Sequence, residues 1–419
     1  MTKTISIIGL GKLGSCMAAV YASKGYHVIG VDLNPVTVAT VNDGRAPVSE
    51  TGLQALFTQN RERIEATTDT LKAVNRSDIT FIIVPTPSVE DGSFSTQFVT
   101  AACQQIGLGL ATKQGGHLVV LTSTLLPGDC ERDVIPMLEQ ASGKKVGKDF
   151  DFCYSPLFIA IGSVIKNLLH PDFFLVGEFD KPSGDILESF YETTCDNRAP
   201  IRRMSIPSAE LTKISVNSYV TMKITFANML GEVAEHIPGA DIDDVTDALG
   251  NDKRIGSAYL KSGLGYGGPC FPRDNRAFAA VAARRGVHVP FASKTDEYNQ
   301  SVMDRWTANI QRTISPLEPV AIVGTSYKPG TAFAEESQAI GIAKRLLALG
   351  YHLHIFNPYG NEHAQELLGD SVTYHDSLGS CLGSAHVLFL GLPMESLARE
   401  LKQRDAQKSL TIIDPWKQL

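Results

Sequence analysis

The chain reads as an α/β protein: two parallel-sheet domains joined by a long central helix and a helical dimerisation region. Three observations predict this. Strand and helix patterns alternate from Thr4 onward, one helical apolar pattern runs from about Ser205 to Ile237, and the alternation restarts at Pro319. At 419 residues the chain exceeds a single ordinary core. The expected division is 1–204, 205–300 and 301–419.

Composition narrows the function. Hydrophobic content of 43% and charged content of 20% are those of a water-soluble globular chain. The net charge is −7 and no Lys/Arg-rich run occurs, which points away from nucleic acid and membrane surfaces. No apolar stretch is long enough to span a bilayer, and the N-terminus runs into a strand rather than a signal peptide. Seven scattered cysteines without a Cys-x-x-Cys pair point to a reducing cytoplasm and away from zinc or a disulfide framework. No metal is expected.

Taken in order, Thr4 to Ile8 is a short apolar strand. Gly9-Leu10-Gly11-Lys12-Leu13-Gly14 follows, then a helical pattern from Ser15 to Lys24, then a strand from Val28 to Val31 ending at Asp32. Strand, Gly-x-Gly-x-x-Gly, helix, strand and acid form the dinucleotide fingerprint. Gly9 permits the tight turn, Gly11 lets backbone approach a pyrophosphate, and Gly14 packs helix on strand. Asp32 accepts hydrogen bonds from the ribose and repels a 2′-phosphate, so the expected cofactor is NAD and this domain is Rossmann-like. Further strands are expected over 78–84, 117–122, 152–154 and 173–176. Pro85-Thr86-Pro87 and Ser123-Thr124 stand at strand ends, where an open parallel sheet binds ligands; on their own they also read as turn chemistry.

Ser205-Ile206-Pro207-Ser208-Ala209-Glu210 is a helix start, with hydroxyl caps, an early proline and an early acid. Apolar residues recur at helical spacing from Leu211 to Ile237, and Pro238-Gly239 closes the run. A helix of about thirty residues exceeds the common length. It is expected to link domains and carry a subunit interface, giving a homodimer. Lys213 and Asn217 share one face of it. By themselves they read equally as a solvated pair. Gly263-Leu264-Gly265-Tyr266-Gly267-Gly268-Pro269-Cys270-Phe271-Pro272-Arg273-Asp274 places four glycines beside a thiol. Such backbone admits close approach of something bulky, and a neighbouring thiol suits covalent chemistry on a carbonyl. Alone, the stretch also reads as a tight turn with an inert cysteine.

Beyond Pro319, strands are expected over 320–324, 352–356, 387–390 and 412–414, with a helix over 337–349. The first strand ends in Gly324-Thr325-Ser326-Tyr327-Lys328, without a second dinucleotide fingerprint. Lys328 reads either as a phosphate contact or as a surface lysine.

Together these pieces resemble the UDP-glucose/GDP-mannose dehydrogenase family over nearly the whole chain. The motifs are the fingerprint, Pro85-Thr86-Pro87, Ser123-Thr124 before Pro127-Gly128, Ala209-Glu210-Leu211-x-Lys213-x-x-x-Asn217, Asp252-x-Arg254-Ile255-Gly256 and Gly-Gly-x-Cys270-Phe-Pro-x-Asp274. The resemblance implies two Rossmann-like domains and an NAD-dependent four-electron oxidation of a nucleotide-sugar CH2OH to the acid. Cys270 adds to the aldehyde to give a thiohemiacetal, oxidation gives a thioester, and water releases the carboxylate. It further implies that Lys213 and Asn217 stabilise charge on the reacting oxygen, Asp274 supports proton transfer and Thr124 positions water. Gly9, Gly11, Lys12, Leu13, Gly14, Asp32, Pro85, Thr86, Thr124 and Gly268 would hold the cofactor. Phe158, Lys213, Asn217, Arg254, Lys261, Tyr266, Gly267 and Lys328 would hold the nucleotide sugar, Arg254 from a neighbouring subunit.

The chain departs from the family pattern in places. The family's Asn-Pro-Glu-Phe-Leu-x-Glu-Gly reads Ser155-Pro156-Leu157-Phe158-Ile159-Ala160-Ile161-Gly162, with both glutamates replaced. In the C-terminal motif an acid becomes Phe333 and an arginine becomes Glu335, and the late Asp-x-Arg reads Asp414-Pro415-Trp416. The first glutamate is tied in the family to the hydrolytic water, so slow release of the acyl group is expected. Two other readings stay open: altered chemistry on the same scaffold, such as a single or transient oxidation, and a binding protein without turnover. Retention of Cys270, Lys213, Asn217 and Asp274 argues against the last.

Overall fold

A computed structural model describes residues 3–316, 318–395, 397, 399–401 and 410–419. The chain forms two compact units, 1–214 and 215–419, and the boundary falls inside the long helix Ile206–Glu235.

The first unit is built on an eight-stranded sheet. Its strands are β1 (Thr4–Ile8), β2 (His27–Val31), β3 (Ile64–Thr67), β4 (Ile79–Ile82), β5 (Leu118–Leu121), β6 (Asp151–Tyr154), β7 (Phe174–Glu178) and β8 (Ile201–Ser205). The order is β3-β2-β1-β4-β5-β6-β7-β8, so the chain reverses direction across the sheet at β1/β4, where doubly wound sheets open a ligand crevice. The expected strands are present in a sheet that is parallel apart from one pair: β6 and β7 run antiparallel. β3 and β8 escape the apolar-run criterion because they are polar. β3 alternates buried and exposed residues, and β8 is an edge strand, Ile-Arg-Arg-Met-Ser. Arg203 of β8 is held by Glu178, Asp185 and Glu188, at 2.6 Å for each of the last two. Both faces of the sheet are apolar. One carries Ile5, Ile7, Met17, Phe81 and Phe190; the other carries Val119, Leu121, Phe152 and Ile206.

The second unit contains a five-stranded parallel sheet: β9 (Val320–Val323), β10 (Leu353–Phe356), β11 (Thr373–Tyr374), β12 (Val387–Leu390) and β13 (Thr411–Ile413). Its order, β11-β10-β9-β12-β13, repeats the reversal at β9/β12. The two-residue β11 is too short for a sequence pattern. The helix Pro290–Thr313 was also not anticipated; its apolar residues are diluted by buried Thr295, Asn299 and Thr307.

A buried polar cluster lies at the amino-terminal ends of the first unit's strands. His117 sits just before β5, with Nδ1 at 3.0 Å from the Ser77 carbonyl and Nε2 at 2.8 Å from the Thr80 hydroxyl. A carbonyl only accepts, so Nδ1 carries a proton. Ser6 links Ser77 and Thr80 at 2.9 and 2.7 Å, and the Lys113 ammonium donates to the carbonyls of Val74, Asn75 and Ser77. Burial, then the nearby Lys113 charge, lowers the His117 pKa to about 3. The folded value lies below the unfolded one of 6.5, so folding resists protonation. The stability this contributes is complete above pH 6.5 and is lost as pH falls from there toward 3, at up to about 1.4 kcal/mol per pH unit. Chemical denaturation between pH 7 and 4 should therefore show a steeper loss for the native chain than for His117→Asn. Parallel slopes would refute this assignment.

Candidate active site

The fingerprint glycines act as their spacing predicts. Gly9 has φ +101°, and a Cβ there would stand 2.7 Å from the Ile83 carbonyl. A Cβ on Gly14 would meet the Gly9 carbonyl at 1.8 Å, so only glycine lets the helix Lys12–Ser23 approach the β1 turn. Nothing lies within 4 Å of a Cβ built on Gly11, and no side chain caps the helix there. That open helix N-terminus fits a pyrophosphate. Leu13 packs on the core. The Asp32 carboxylate is oriented at the end of β2 by the Leu10 and Asn34 amides, each donating at 2.9 Å. The cradle from Gly9 to Gly14, with Asp32 at the end of β2, therefore fits NAD.

The loops after β4 and β5 clasp each other. Thr86 donates to the Thr124 carbonyl at 3.0 Å, and Ser123 donates to the Val84 carbonyl at 2.6 Å. Pro85 is exposed and Thr124 half-buried. Glu210, fully buried on the long helix, fixes the next turn by accepting from the Gly128 and Cys130 amides at 2.6 and 2.9 Å. Burial raises its pKa in spite of these bonds. In the sequence Glu210 is an early helical acid and a member of the Ala209-Glu210-Leu211-x-Lys213 motif; its grip on the 128–130 turn appears only in the fold. Lys213, also buried, donates to the Leu157 carbonyl at 2.7 Å and lies 4.6 Å from the centre of the Phe158 ring. At the first replaced glutamate position, then, the backbone carbonyl meets the lysine while the Leu157 side chain packs on the core with Ile159.

In the second unit, Cys270 is exposed at the start of the helix Phe271–Arg284. Asp274 lies in that helix's first turn, almost fully buried, and accepts from Asn217 Nδ2 at 2.6 Å. Arg273 stands 3.5 Å from its other oxygen. The fold thus brings Asn217 and Asp274 together across 57 residues.

The glycine loop itself packs against protein. A Cβ on Gly263 would strike the Trp416 ring at 2.4 Å, on Gly265 the Asn299 amide at 2.0 Å, on Gly267 the Glu336 carbonyl at 2.4 Å and on Gly268 the Tyr327 ring at 2.6 Å. Tyr266 is buried, with its hydroxyl near Asp296 at 3.3 Å and accepting from Asn275 at 3.1 Å. Burial, then Asp296, pushes its pKa above the usual phenol range. Lys261 is exposed and engaged by Asp243 and Asp247 at 3.2 and 2.8 Å. Arg254 is exposed, with both Asp252 oxygens within 3.1 Å of its Nε.

Lys328 lines a cavity of about 150 Å³ at the carboxyl ends of β9 and β12, with Ser326, Tyr327, Gln338, Leu392 and Trp416. The reversal of strand order places it there. Trp416 donates from its indole nitrogen to the Leu390 carbonyl at 3.2 Å. Phe333 is edge-on to His363, and Glu335 is exposed with its carbonyl bound to the Gly268 amide at 3.0 Å.

Comparison with known proteins finds matches along nearly the whole chain. The profiles of the UDP-glucose/GDP-mannose dehydrogenase family match in three parts: NAD binding domain over 3–195, central domain over 207–301 and UDP binding domain over 321–418. GDP-mannose 6-dehydrogenase of Pseudomonas aeruginosa is 34% identical over 401 residues, 92% of this chain and 91% of that one. A UDP-glucose 6-dehydrogenase of Haloferax volcanii is 32% identical over 414 residues, 98% of this chain and 96% of that one. The structure of a UDP-glucose dehydrogenase from Pyrobaculum islandicum superposes with a TM-score of 0.88 at 31% identity, covering 95% of this chain and 91% of that one.

Two measurements check this geometry. Burial pushes the Cys16 and Cys381 thiols up to about 12 and those of Cys103, Cys130 and Cys153 beyond the ordinary range. Brief treatment of native protein with iodoacetamide should therefore label Cys270 first, and Cys270→Ala should remove that fast phase. Calorimetry should find NAD bound more tightly than NADP, with Asp32→Asn narrowing the gap; equal affinity of the native chain for both would contradict the role given to Asp32.

Proposed function

The chain belongs to the UDP-glucose/GDP-mannose dehydrogenase family, and on that premise we propose that it oxidises the CH2OH of a nucleotide-linked hexose to the uronic acid. The observation that carries this reading is Cys270, an exposed thiol at a helix start, in a unit where Asn217 is already bonded to Asp274. When bound, NAD supplies the hydride acceptor. Lys213 and Asn217, one turn apart on a single helix, stabilise the negative charge on the reacting oxygen. Asp274 holds Asn217 in place and supports proton transfer. The Cys270 sulfur forms a bond to the aldehyde carbon, and the former carbonyl oxygen becomes the hydroxyl of a thiohemiacetal. After oxidation to the thioester, water adds its oxygen to the acyl carbon and the thiol leaves.

The cavity beside Lys328 is the site proposed for the nucleotide, and the UDP binding profile supports it. The division 1–204, 205–300 and 301–419 is supported by the three profile ranges. We further propose a cytoplasmic homodimer. Leu211, Tyr219, Phe226, Met229, Val233 and Ile237 recur at helical spacing and are exposed, an apolar stripe that a second copy would cover. Sedimentation should give a dimer at micromolar concentration, and Phe226→Glu with Val233→Glu should shift it to monomer.

Incubation with NAD and a panel of nucleotide sugars, following both NADH and product mass, tests the reaction. The expected result is two NADH per acid, abolished in Cys270→Ala with NAD binding intact; unchanged acid formation in that variant would overturn covalent catalysis at Cys270. With Leu157 packed on the core, no carboxylate from position 157 assists water, a contribution of about 10² to 10⁴ in comparable enzymes. Rapid mixing should then show an NADH burst followed by slow turnover, with an acyl adduct on Cys270. A single fast phase without adduct would refute slow release.

A further inference from the structure

We infer that Glu50 is a positioning residue, tying the cofactor cradle at Lys12 to the loop over 155–164 and through the Leu157 carbonyl to Lys213; this rests on the dehydrogenase reading above. The fingerprint and the thiol motif leave Glu50 without a role, yet its side chain is only 1% exposed. A carboxylate so buried needs partners, and those it has are specific. Oε1 accepts from the Val164 amide and Oε2 from the Gly162 amide, each at 3.1 Å, and the Lys12 ammonium lies 4.0 Å from Oε2. All these groups belong to the first unit.

The loop held this way is the altered one, with Leu157 and Ile161 at the replaced glutamate positions. Its beginning is fixed by Ser155, which donates to the Leu175 carbonyl at 2.8 Å and meets the Tyr191 hydroxyl at 2.7 Å. Its middle is fixed by Lys213 at Leu157 and by Asn167, which accepts from the Ala160 amide at 3.0 Å. Its end is fixed by Glu50. If the end is released, the stretch from Pro156 to Ile161 gains freedom, and the carbonyl that orients Lys213 moves with it. Both family glutamates have been lost from this loop, while a carboxylate from elsewhere in the chain holds its end. The other end of the tie is Lys12, beside the open helix N-terminus where the cofactor phosphates fit.

Glu50→Gln tests the tie. The amide keeps the size but has a single acceptor oxygen and no charge, so one of the two loop amides loses its partner. Amide exchange over 156–164 should rise about tenfold or more. NAD affinity by calorimetry should be unchanged or tighter, because a negative charge beside Lys12 is gone. The first hydride transfer, measured at saturating NAD and nucleotide sugar, should slow by about 10- to 100-fold, as expected when a charged group is misplaced by a fraction of an ångström or more. Glu50→Asp keeps the charge, withdraws it by one methylene and should fall between, which also serves if the glutamine variant folds poorly. Native loop exchange with a native hydride step would overturn the proposal. So would a loss of activity that merely parallels a loss of NAD-binding sites, since that is general damage. If the native chain reduces NAD with no nucleotide sugar, the functional reading falls instead, and amide exchange and calorimetry still decide whether Glu50 holds the loop.

Discussion

A buried ammonium must find acceptors, and much of the first unit is arranged around that of Lys213. The long helix carries it in; the Leu157 carbonyl and the Phe158 ring receive it. The acceptors sit on an irregular loop, and such a loop stays in place only when its own backbone groups are satisfied. Asn167 and Glu50 do this for the Ala160, Gly162 and Val164 amides, and the Ser155 side chain anchors the start of the loop on the Leu175 carbonyl. The same helix supplies Glu210, which fixes the turn after Thr124. One helix therefore orders two loops at the carboxyl edge of the sheet.

The second unit solves a different problem, that of holding an exposed thiol on a fixed backbone. Cys270 is exposed, but the glycines before it are wedged against Trp416, Asn299, Glu336 and Tyr327. Their missing side chains give the thiol a rigid base, because each added Cβ would collide with protein. Asp274, one turn into the following helix, is buried and bonded to Asn217. The thiol thus stands on a frame locked by close packing on one side and a charge-assisted hydrogen bond on the other.

The departures from the family pattern have physical consistency. Leu157 gives its side chain to the core and its carbonyl to Lys213, so the position remains structural while losing an acid. Trp416 fills the space beside Gly263 and lines the Lys328 cavity, exchanging a charge for a flat apolar surface. Glu335 points to solvent and uses its backbone, not its charge, to hold Gly268.

Much was legible in the chain itself. Regular apolar runs placed most strands and the long helix within a few residues, because burial on a sheet or helix face leaves a period in the sequence. The fingerprint glycines and Asp32 were readable because tight turns and close backbone approach admit few residue types. Polar elements such as β3, β8 and the helix Pro290–Thr313 left no such trace. The glycines of the Cys270 loop were visible, but that protein side chains crowd them was not. Nor could spacing reveal that Asn217 reaches Asp274, that Leu157 serves through its carbonyl, or that Glu50 grips a loop 112 residues away. Local propensity and periodicity are properties of neighbours in sequence, and the sequence by itself determined what depends on them: the elements, the cofactor motif and the glycine-rich setting of the thiol. Pairings between distant polar groups depend on where the chain returns after folding, and only the tertiary structure decided those.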